Sequence, residues 1–169
     1  MANPVCEVLL TEARLKAPRG DVDPSTHSTS LRARLSLRTS LAAGAAVDFW
    51  GIVRGTEDGR GIDGIEYEAH QAMAEHQLTL IAQRAIEKFA LELIVIHHRI
   101  GFIAAGEASL FVRVASRHRA EAFRASQWAV DELKRKVPIW KRPKYKIDNQ
   151  AASEGKLNRQ AEPHLISRG

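Results

Sequence analysis

The sequence predicts an α+β fold in which a mixed or antiparallel sheet packs against two long helices. Segments of alternating or continuously apolar residues, typical of strands, are interspersed with two long segments whose apolar residues recur every three to four positions. Several connections between predicted strands are too short for a helical crossover, which favours antiparallel pairing. The 169 residues suit one domain, and we expect it to cover residues 1–148 and to be followed by a flexible tail at 149–169.

The first part of the chain contains three predicted strands. Val5–Thr11 and Ile62–His70 alternate apolar with polar residues, and Ala46–Val53 is an apolar segment that predicts a buried strand. Residues 18–30 are polar and contain Pro and Gly, so they predict a loop. Residues 31–43 stay ambiguous, because their alternation favours a strand while their Ala, Leu and Arg content favours a helix.

The rest of the chain predicts two helices and three further strands. Gln71–Phe89 and Arg119–Lys136 show helical spacing of apolar residues, and Pro138 ends the second helix. The apolar stripe includes Met73 in the first helix, and in the second it consists of Phe123, Val130, Leu133 and Val137. The further strands are Leu91–His98, Glu107–Ser116 and Ile139–Ile147.

The positive charge of the chain is concentrated between Arg113 and Lys146, a segment that we call the basic stretch. It holds eleven Lys and Arg residues against three acidic residues, whereas the remainder holds fourteen basic and seventeen acidic residues. Such concentrated charge indicates an anionic substrate or partner. There is no segment of eighteen consecutive apolar residues, so we expect no membrane span and no membrane partner.

The single cysteine, Cys6, excludes an internal disulfide and a cysteine-based zinc site. Its place among alternating apolar residues predicts a buried, structural thiol. Low cysteine usage and the lack of a secretory signal pattern lead us to expect a cytoplasmic protein. The histidines show no metal-ligand spacing backed by a third ligand, so we expect no metal and no other cofactor.

Cations at the two ends of the second predicted helix are candidate site residues. His118 and Arg119 begin this helix, where unpaired backbone amides can hold a phosphate, although Ser116 could simply cap the helix there. Lys134 lies in the last turn, where a cation can also merely complement the helix dipole. Lys141 follows a proline-fixed turn, and a lysine crowded by other cations loses its proton more readily and can act as a nucleophile or proton carrier.

Arg54 is a further candidate, because it ends a predicted buried strand just before a glycine-punctuated loop. It could bind an anionic ligand or form a surface ion pair with Glu57 or Asp58. His118 and Lys134 are sixteen positions apart, which is roughly 24 Å along a straight helix. A small substrate cannot touch both ends, so either only one of the two clusters is functional or two chains pair. We expect the second case, with two composite sites built from both subunits.

Five segments resemble, in the same order and at similar spacing, the large catalytic subunit of molybdopterin synthase. They are VDFWGIVRG at 47–55, IEYEAHQAMAE at 65–75, IHHRIG at 96–101, SRHRAEAFRA at 116–125 and ELKRKVPIWKR at 132–142. The resemblance implies an α/β-hammerhead fold and a homodimer that binds a small ubiquitin-like sulfur-carrier subunit at each end, giving a heterotetramer. It further implies a sulfurtransferase of molybdenum cofactor biosynthesis. Sulfur would arrive as a thiocarboxylate on the Gly-Gly tail of the carrier, and two transfers to cyclic pyranopterin monophosphate (precursor Z) would make the dithiolene of molybdopterin.

The same resemblance implies the site residues, position by position. Those expected to contact substrate are Ile52, Val53, Arg54, His118, Arg119, Lys134, Lys141, Arg142 and Pro143, with Phe49 lining the pocket. Lys134 and Lys141 are expected to be catalytic, by assisting proton transfer and stabilising negative charge. His118 and Arg119 are expected to come from the opposite subunit. An arginine that the family supplies from its tail has no assigned equivalent, and Arg159 is a candidate.

Two other classes of function stay open from the residues alone. A basic helix with tryptophans nearby could form a nucleic-acid-binding module, which would bind with a steep salt dependence and would not need Arg54. A non-catalytic scaffold for a ubiquitin-like partner would bind the carrier without making product. The resemblance favours the enzyme and implies no nucleic-acid partner.

Overall fold

The computed structural model of the chain describes residues 4–15 and 42–146. In chain order the elements are β1 Val5–Thr11, β2 Ala45–Ile52, β3 Thr56–Glu57, β4 Arg60–Ala69, α1 Gln71–Phe89, β5 Leu91–Arg99, β6 Gly101–Ala104, β7 Ala108–Ser116, α2 Arg119–Lys136 and β8 Ile139–Tyr145. The predicted strands and helices occur in the predicted order, and two short strands, β3 and β6, were not predicted from the sequence. The loop at 18–30, most of the segment at 31–43, the tail at 149–169 and Arg159 lie outside the described residues.

The strands form two four-stranded groups, and the predicted mixed pairing is confirmed. The first sheet has the order β1-β5-β7-β2, in which β1 runs parallel to β5 and the other pairs are antiparallel. In the second, β4 pairs antiparallel with β3, β6 and β8. The chain therefore has the predicted α+β architecture, and β8 follows α2 to bring the end of that helix close to the second sheet.

The largest core lies between the two helices and one face of the first sheet, but the helical stripes differ from the prediction. Met73 and Phe123 are 51% and 63% exposed. The residues buried in α1 are Ala74, Leu78, Ile81, Ala82 and Ala85, and those buried in α2 include Ala122, Ala125 and Ala129. Alanines let a helix approach its neighbours closely, so much of the buried stripe consists of small side chains, while Met73 and Phe123 point outward. Predicted stripe members Val130, Leu133 and Val137 are buried as expected.

Cys6 is exposed, so the prediction of a buried thiol is wrong. Its strand β1 is the edge strand of the first sheet and has a neighbour on one side only, so Cys6 at its start is poorly covered although Leu10 at the other end is buried. Desolvation still raises the pKa of the Cys6 thiol above its ordinary value, which disfavours the nucleophilic thiolate. Within the described residues, neither helix has the length and hydropathy needed to cross a membrane.

Candidate functional site

A cleft of about 660 Å³ lies where the end of β2, the end of α2 and the start of β8 meet. We call it the lysine cleft, because the side chains of Lys134 and Lys141 line it. Six predicted site residues line this cleft together, from segments far apart in the sequence: Phe49, Ile52, Val53, Arg54, Lys134 and Lys141. The fold thus gathers most of the expected site into one cavity of a single chain.

About half of the wall of the lysine cleft is apolar. The apolar side chains are Phe49, Ile52, Val53, Ile65, Leu110, Leu133, Val137 and Ile139. Ser109 lies among them, and its hydroxyl donates a hydrogen bond of 3.2 Å to the carbonyl oxygen of Gly51. An apolar wall with a few placed polar groups is the usual form of a small-molecule site.

One acidic side chain, Glu57, contacts two of the cations in the lysine cleft. The Lys141 ammonium donates a hydrogen bond to Glu57 Oε1, and the Arg54 guanidinium lies 3.5 Å from Glu57 Oε2. The hydrogen bond from Lys141 holds the pKa of the Glu57 carboxyl below its ordinary value, and the charge of Arg54 adds to this effect. Arg54 therefore forms the expected ion pair with Glu57 and still lines the cleft. Lys141 lies against a carboxylate, whereas the sequence suggested crowding by cations.

Lys134 differs from Lys141 in having no acidic partner. It is exposed in the last turn of α2 and lines the cleft, and no ion pair joins it to any side chain in residues 4–15 or 42–146. Its neighbours Arg135 and Lys136 instead both pair with Glu132, one turn back on the same helix. The cleft thus contains one ammonium group that is engaged by a carboxylate and one that is available to a ligand.

His98 is a cleft residue that sequence reasoning missed. It is only 5% exposed, and its Nδ1 lies 2.7 Å from the carbonyl oxygen of Arg99. Because a carbonyl only accepts, Nδ1 carries a proton, and burial lowers the pKa of the imidazole so that it stays neutral. The ring meets Tyr67 edge to face, with 5.4 Å between centroids. In the sequence, His98 looked like the polar end of an apolar strand, and nothing marked that end as part of a cleft.

His118 and Arg119 lie at the other end of α2, in a separate cavity. This second cavity, about 500 Å³, is lined by Gly44, Arg117, His118, Arg119 and Ala120. His118 is the N-cap residue but makes no side-chain cap hydrogen bond, and the Ser116 hydroxyl donates to the His118 carbonyl instead of capping the helix. The backbone amides at the helix start are therefore not capped by either side chain. One chain does not bring His118 and Arg119 to the lysine cleft.

Arg142 and Pro143 lie on β8 next to Lys141 but do not line the lysine cleft. Arg142 pairs with Glu68 of β4 at 2.9 Å, and both side chains are largely exposed. Pro143 is half-buried opposite Ile65 in the β4–β8 pairing. Because side chains alternate along a strand, Lys141 and Arg142 point to opposite faces of the sheet.

Most cations of the basic stretch are already engaged in ion pairs. Seven of the eleven pair with acidic side chains of the described residues: Arg113, Arg117, Arg124, Arg135, Lys136, Lys141 and Arg142. Of the four that form no ion pair there, Arg119 lies in the second cavity and Lys134 in the lysine cleft, and the others are Lys144 and Lys146. Two of these four cations therefore lie in cavities where an anionic ligand could reach them.

A protein-family model described as "MoaE protein" matches residues 23–136. The chain belongs to the MoaE protein family. The matched range includes the lysine cleft up to Lys134 and the whole second cavity. Within the family, the chain is 42% identical over 105 residues to the molybdopterin synthase catalytic subunit of Oryza sativa subsp. indica. That match covers 62% of this chain and 54% of the rice protein, so the chain spans about half the length of this curated relative.

Solved structures of the family share the fold. The molybdopterin synthase of Staphylococcus aureus matches with a TM-score of 0.66 and 28% identity, over 83% of this chain and 90% of that one. A structure from Helicobacter pylori, titled as a protein–protein complex of subunits 1 and 2 of molybdopterin-converting factor, matches with a TM-score of 0.57 and 19% identity. The latter match covers 85% of this chain and 90% of the other, and at this identity it supports the fold alone.

Proposed function

We propose that this chain is the catalytic subunit of a molybdopterin synthase. It would transfer sulfur from a thiocarboxylated carrier protein to cyclic pyranopterin monophosphate. The observation that carries the proposal is the gathering of Arg54, Lys134 and Lys141 around one cleft with an apolar wall, in a chain of the MoaE protein family. The cytoplasm is the compartment that we propose, with residues 1–148 as one domain.

The charges of the lysine cleft suit the two reactants. The thiocarboxylate tail and the cyclic phosphate are both anions, which repel one another unless cations lie between them. A charge-assisted hydrogen bond contributes roughly 1.5–3 kcal/mol, so two or three cations can hold both groups close together. The apolar wall excludes water, which strengthens these interactions.

The proposed reaction leaves each carrier tail as a carboxylate. In each transfer, the carbon–sulfur bond of the thiocarboxylate breaks, sulfur replaces an oxygen on a side-chain carbon of the pterin, and water supplies the oxygen of the new carboxylate. At one carbon the bond to the cyclic-phosphate oxygen breaks and that oxygen stays on the phosphate, and at the other carbon the displaced oxygen leaves as water. Lys134 and Lys141 would stabilise negative charge and assist proton transfer as the cyclic phosphate opens. Arg54 would hold an anionic group at the mouth of the cleft. Two transfers complete the dithiolene.

The second cavity leads us to propose a homodimer with composite sites. His118 and Arg119 would bind the phosphate of a substrate whose reacting carbon lies in the lysine cleft of the other subunit, with Arg142 and Pro143 at the margin. The separation of roughly 24 Å along α2 prevents one chain from supplying both groups to one small molecule. A ubiquitin-like carrier on each subunit would complete a heterotetramer.

The nucleic-acid alternative gains no support from the fold. Seven of the eleven cations of the basic stretch are in ion pairs, so they do not form a continuous track for phosphates. Trp128 packs edge to face on Phe89, with 5.8 Å between ring centroids, and this contact uses the ring surface that base stacking would need.

The proposal is tested by reconstituting the reaction. The purified chain is mixed with thiocarboxylated carrier and cyclic pyranopterin monophosphate, and molybdopterin is detected as its oxidised fluorescent derivative. We expect product with the thiocarboxylated carrier and none with the same carrier ending in a plain carboxylate. Carrier binding without product from the wild-type chain would support the scaffold alternative instead.

A further inference from the structure

Glu57 occupies a defined position at the mouth of the lysine cleft. It belongs to β3, which forms a tight hairpin with β4, and it lies opposite Arg60 in that pairing. Asp58 and Gly59 make the turn with φ values of 51° and 76°. Glycine adopts this left-handed region at no steric cost and Asp tolerates it, so the turn is well encoded. The Glu57 side chain is only 11% exposed although the hairpin lies at the surface.

The residues around Glu57 favour the ionised form of its carboxyl group. Its carboxylate accepts a hydrogen bond from Lys141 on β8 and lies 3.5 Å from Arg54, which follows β2. The bond from Lys141 lowers the pKa of the Glu57 carboxyl, so the group is ionised at neutral pH. Glu57 therefore connects two cations of the cleft, Arg54 after the end of β2 and Lys141 near the start of β8.

Lys141 would be poorly fixed without this contact. The Lys141 side chain on β8 is 54% exposed, and a lysine has a flexible four-carbon stem. Lys134 shares the cleft but has no ion pair with any described side chain. The two lysines thus differ in whether a carboxylate of the described residues holds the ammonium group in place.

We propose that Glu57 is a positioning residue that holds Lys141 as a fixed ammonium ion, so that Lys141 stabilises negative charge and does not act as a nucleophile. The inference rests on the proposed function and separates the roles of the two lysines. Lys141, held by Glu57, offers its remaining N–H donors to the reacting anion. Lys134, which has no such anchor, is the lysine left to exchange a proton with substrate.

The groups around Glu57 define what else could titrate with it. Those that line the same cleft are Arg54, Lys141, Lys134 on α2, Tyr67 on β4 and His98 on β5. Asp58 precedes the turn glycine and is exposed. Of these groups, Lys141 and Arg54 are the ones in contact with Glu57. A change at Glu57 should therefore act through Lys141 first.

The test replaces Glu57 by Gln and by Asp, with Asp58→Asn as the matched control that removes one negative charge from the same hairpin without touching Lys141. For Glu57→Gln we expect kcat to fall about tenfold with no rise in KM for the carrier, because positioning is lost while a competing anion is removed. The alkaline limb of the rate profile should move to lower pH, because the anion next to the Lys141 ammonium is lost. Glu57→Asp should recover part of the rate, and Asp58→Asn should behave as wild type.

Two further measurements keep the result decisive. Lys141→Arg keeps the cation and should lose less activity than Lys134→Arg, in which the proposed proton-exchanging group is replaced. A ¹³C NMR titration of the Lys141 Cε signal, compared between wild type and Glu57→Gln, tests the contact between Lys141 and Glu57. This measurement needs no product, so failure of the proposed function can be distinguished from failure of the role proposed for Glu57. An unchanged rate profile and an unchanged titration in Glu57→Gln would overturn the proposal, as would a rise in KM together with a lower unfolding temperature.

Discussion

The two ends of α2 carry similar cations in different surroundings. At its end, Lys134 lines a cleft with apolar walls, a neutral buried His98 and an anchored Lys141. At its start, His118 and Arg119 are exposed in a second, smaller cavity beside an uncapped helix terminus. The lysine cleft combines cations with apolar side chains, whereas the second cavity is lined mainly by exposed cationic residues. The difference agrees with our proposal that the helix start completes a site in another subunit.

The largest expected effect is at the cleft end. Lys134→Ala should lower the rate of product formation by at least about 100-fold, because a charged group next to the reacting atoms is lost. Single-turnover measurement with thiocarboxylated carrier gives the chemical step directly. Lys136→Ala is the matched control and should keep most of the rate. Lys136 lies two positions after Lys134 on α2, and its ammonium group pairs with Glu132. Equal losses in both variants would remove the distinction between cleft and surface cations.

A smaller effect is expected at the helix start. Arg119→Ala should lower kcat/KM for the pterin substrate roughly 10- to 100-fold, in line with one lost charge-assisted hydrogen bond to a phosphate. Arg124→Ala is the matched control, because Arg124 lies on the same helix and pairs with Glu121 at 2.8 Å. Steady-state kinetics at varied pterin concentration measures both variants. No difference between them would mean that the second cavity takes no part in the reaction.

A third comparison concerns stability and pH. Burial lowers the pKa of His98 in the folded state below its ordinary value of 6.5. The unfolded chain therefore binds this proton more tightly, and the free energy of unfolding should fall as pH drops below about 6.5, by at most about 1.4 kcal/mol per pH unit. Once the pH is well below the lowered pKa, both states bind this proton and His98 no longer contributes to the slope.

Urea unfolding at a series of pH values measures this dependence. His98→Gln should flatten it between neutral pH and the lowered value, whereas His118→Gln at the exposed end of α2 should keep the wild-type slope. If both variants retain the same slope, His98 is not the neutral group in the cleft wall that its burial and its bond to the Arg99 carbonyl indicate.

The smallest effect is expected at Phe123, close to the helix start. Because its side chain is 63% exposed, Phe123→Ala should change the free energy of unfolding by no more than about 0.5 kcal/mol. Ala125→Leu, two positions along, should cost about 1–3 kcal/mol because Ala125 is fully buried and extra volume strains the core. A loss of about 2 kcal/mol or more in Phe123→Ala would mean that this ring is covered in the assembled protein.

Much of the fold could be predicted from residue patterns. The long helices and the strands β1, β5 and β7 follow directly from periodicity, because one face or both faces of each element are buried. The sequence pattern predicts that Phe123 belongs to the apolar stripe of α2, because large apolar residues contribute most to a hydrophobic pattern. The packing instead favours Ala122, Ala125 and Ala129, whose small size lets the helix lie close to the sheet.

The site was less accessible to pattern reasoning. Lys134 and Lys141 stand out as cations near a helix end, but their meeting with Arg54 depends on the pairing of β8 with β4, which places Lys141 opposite Tyr67. Glu57 gave no signal of its role, because its direction is set by a two-residue turn and a two-residue strand. Local sequence reports which residues can carry charge, while the register between distant strands decides which charges meet.

The central claim is that the start of α2 in one subunit and the lysine cleft of the other form one site. Mixed dimers test it most directly, with His118→Ala in one subunit, Lys134→Ala in the other, and each subunit purified through its own tag. If the residues act across the dimer, one of the two sites is intact and product should form at about half the wild-type rate. If such dimers are as inactive as the two homodimeric variants, both groups act within one chain and the account is contradicted.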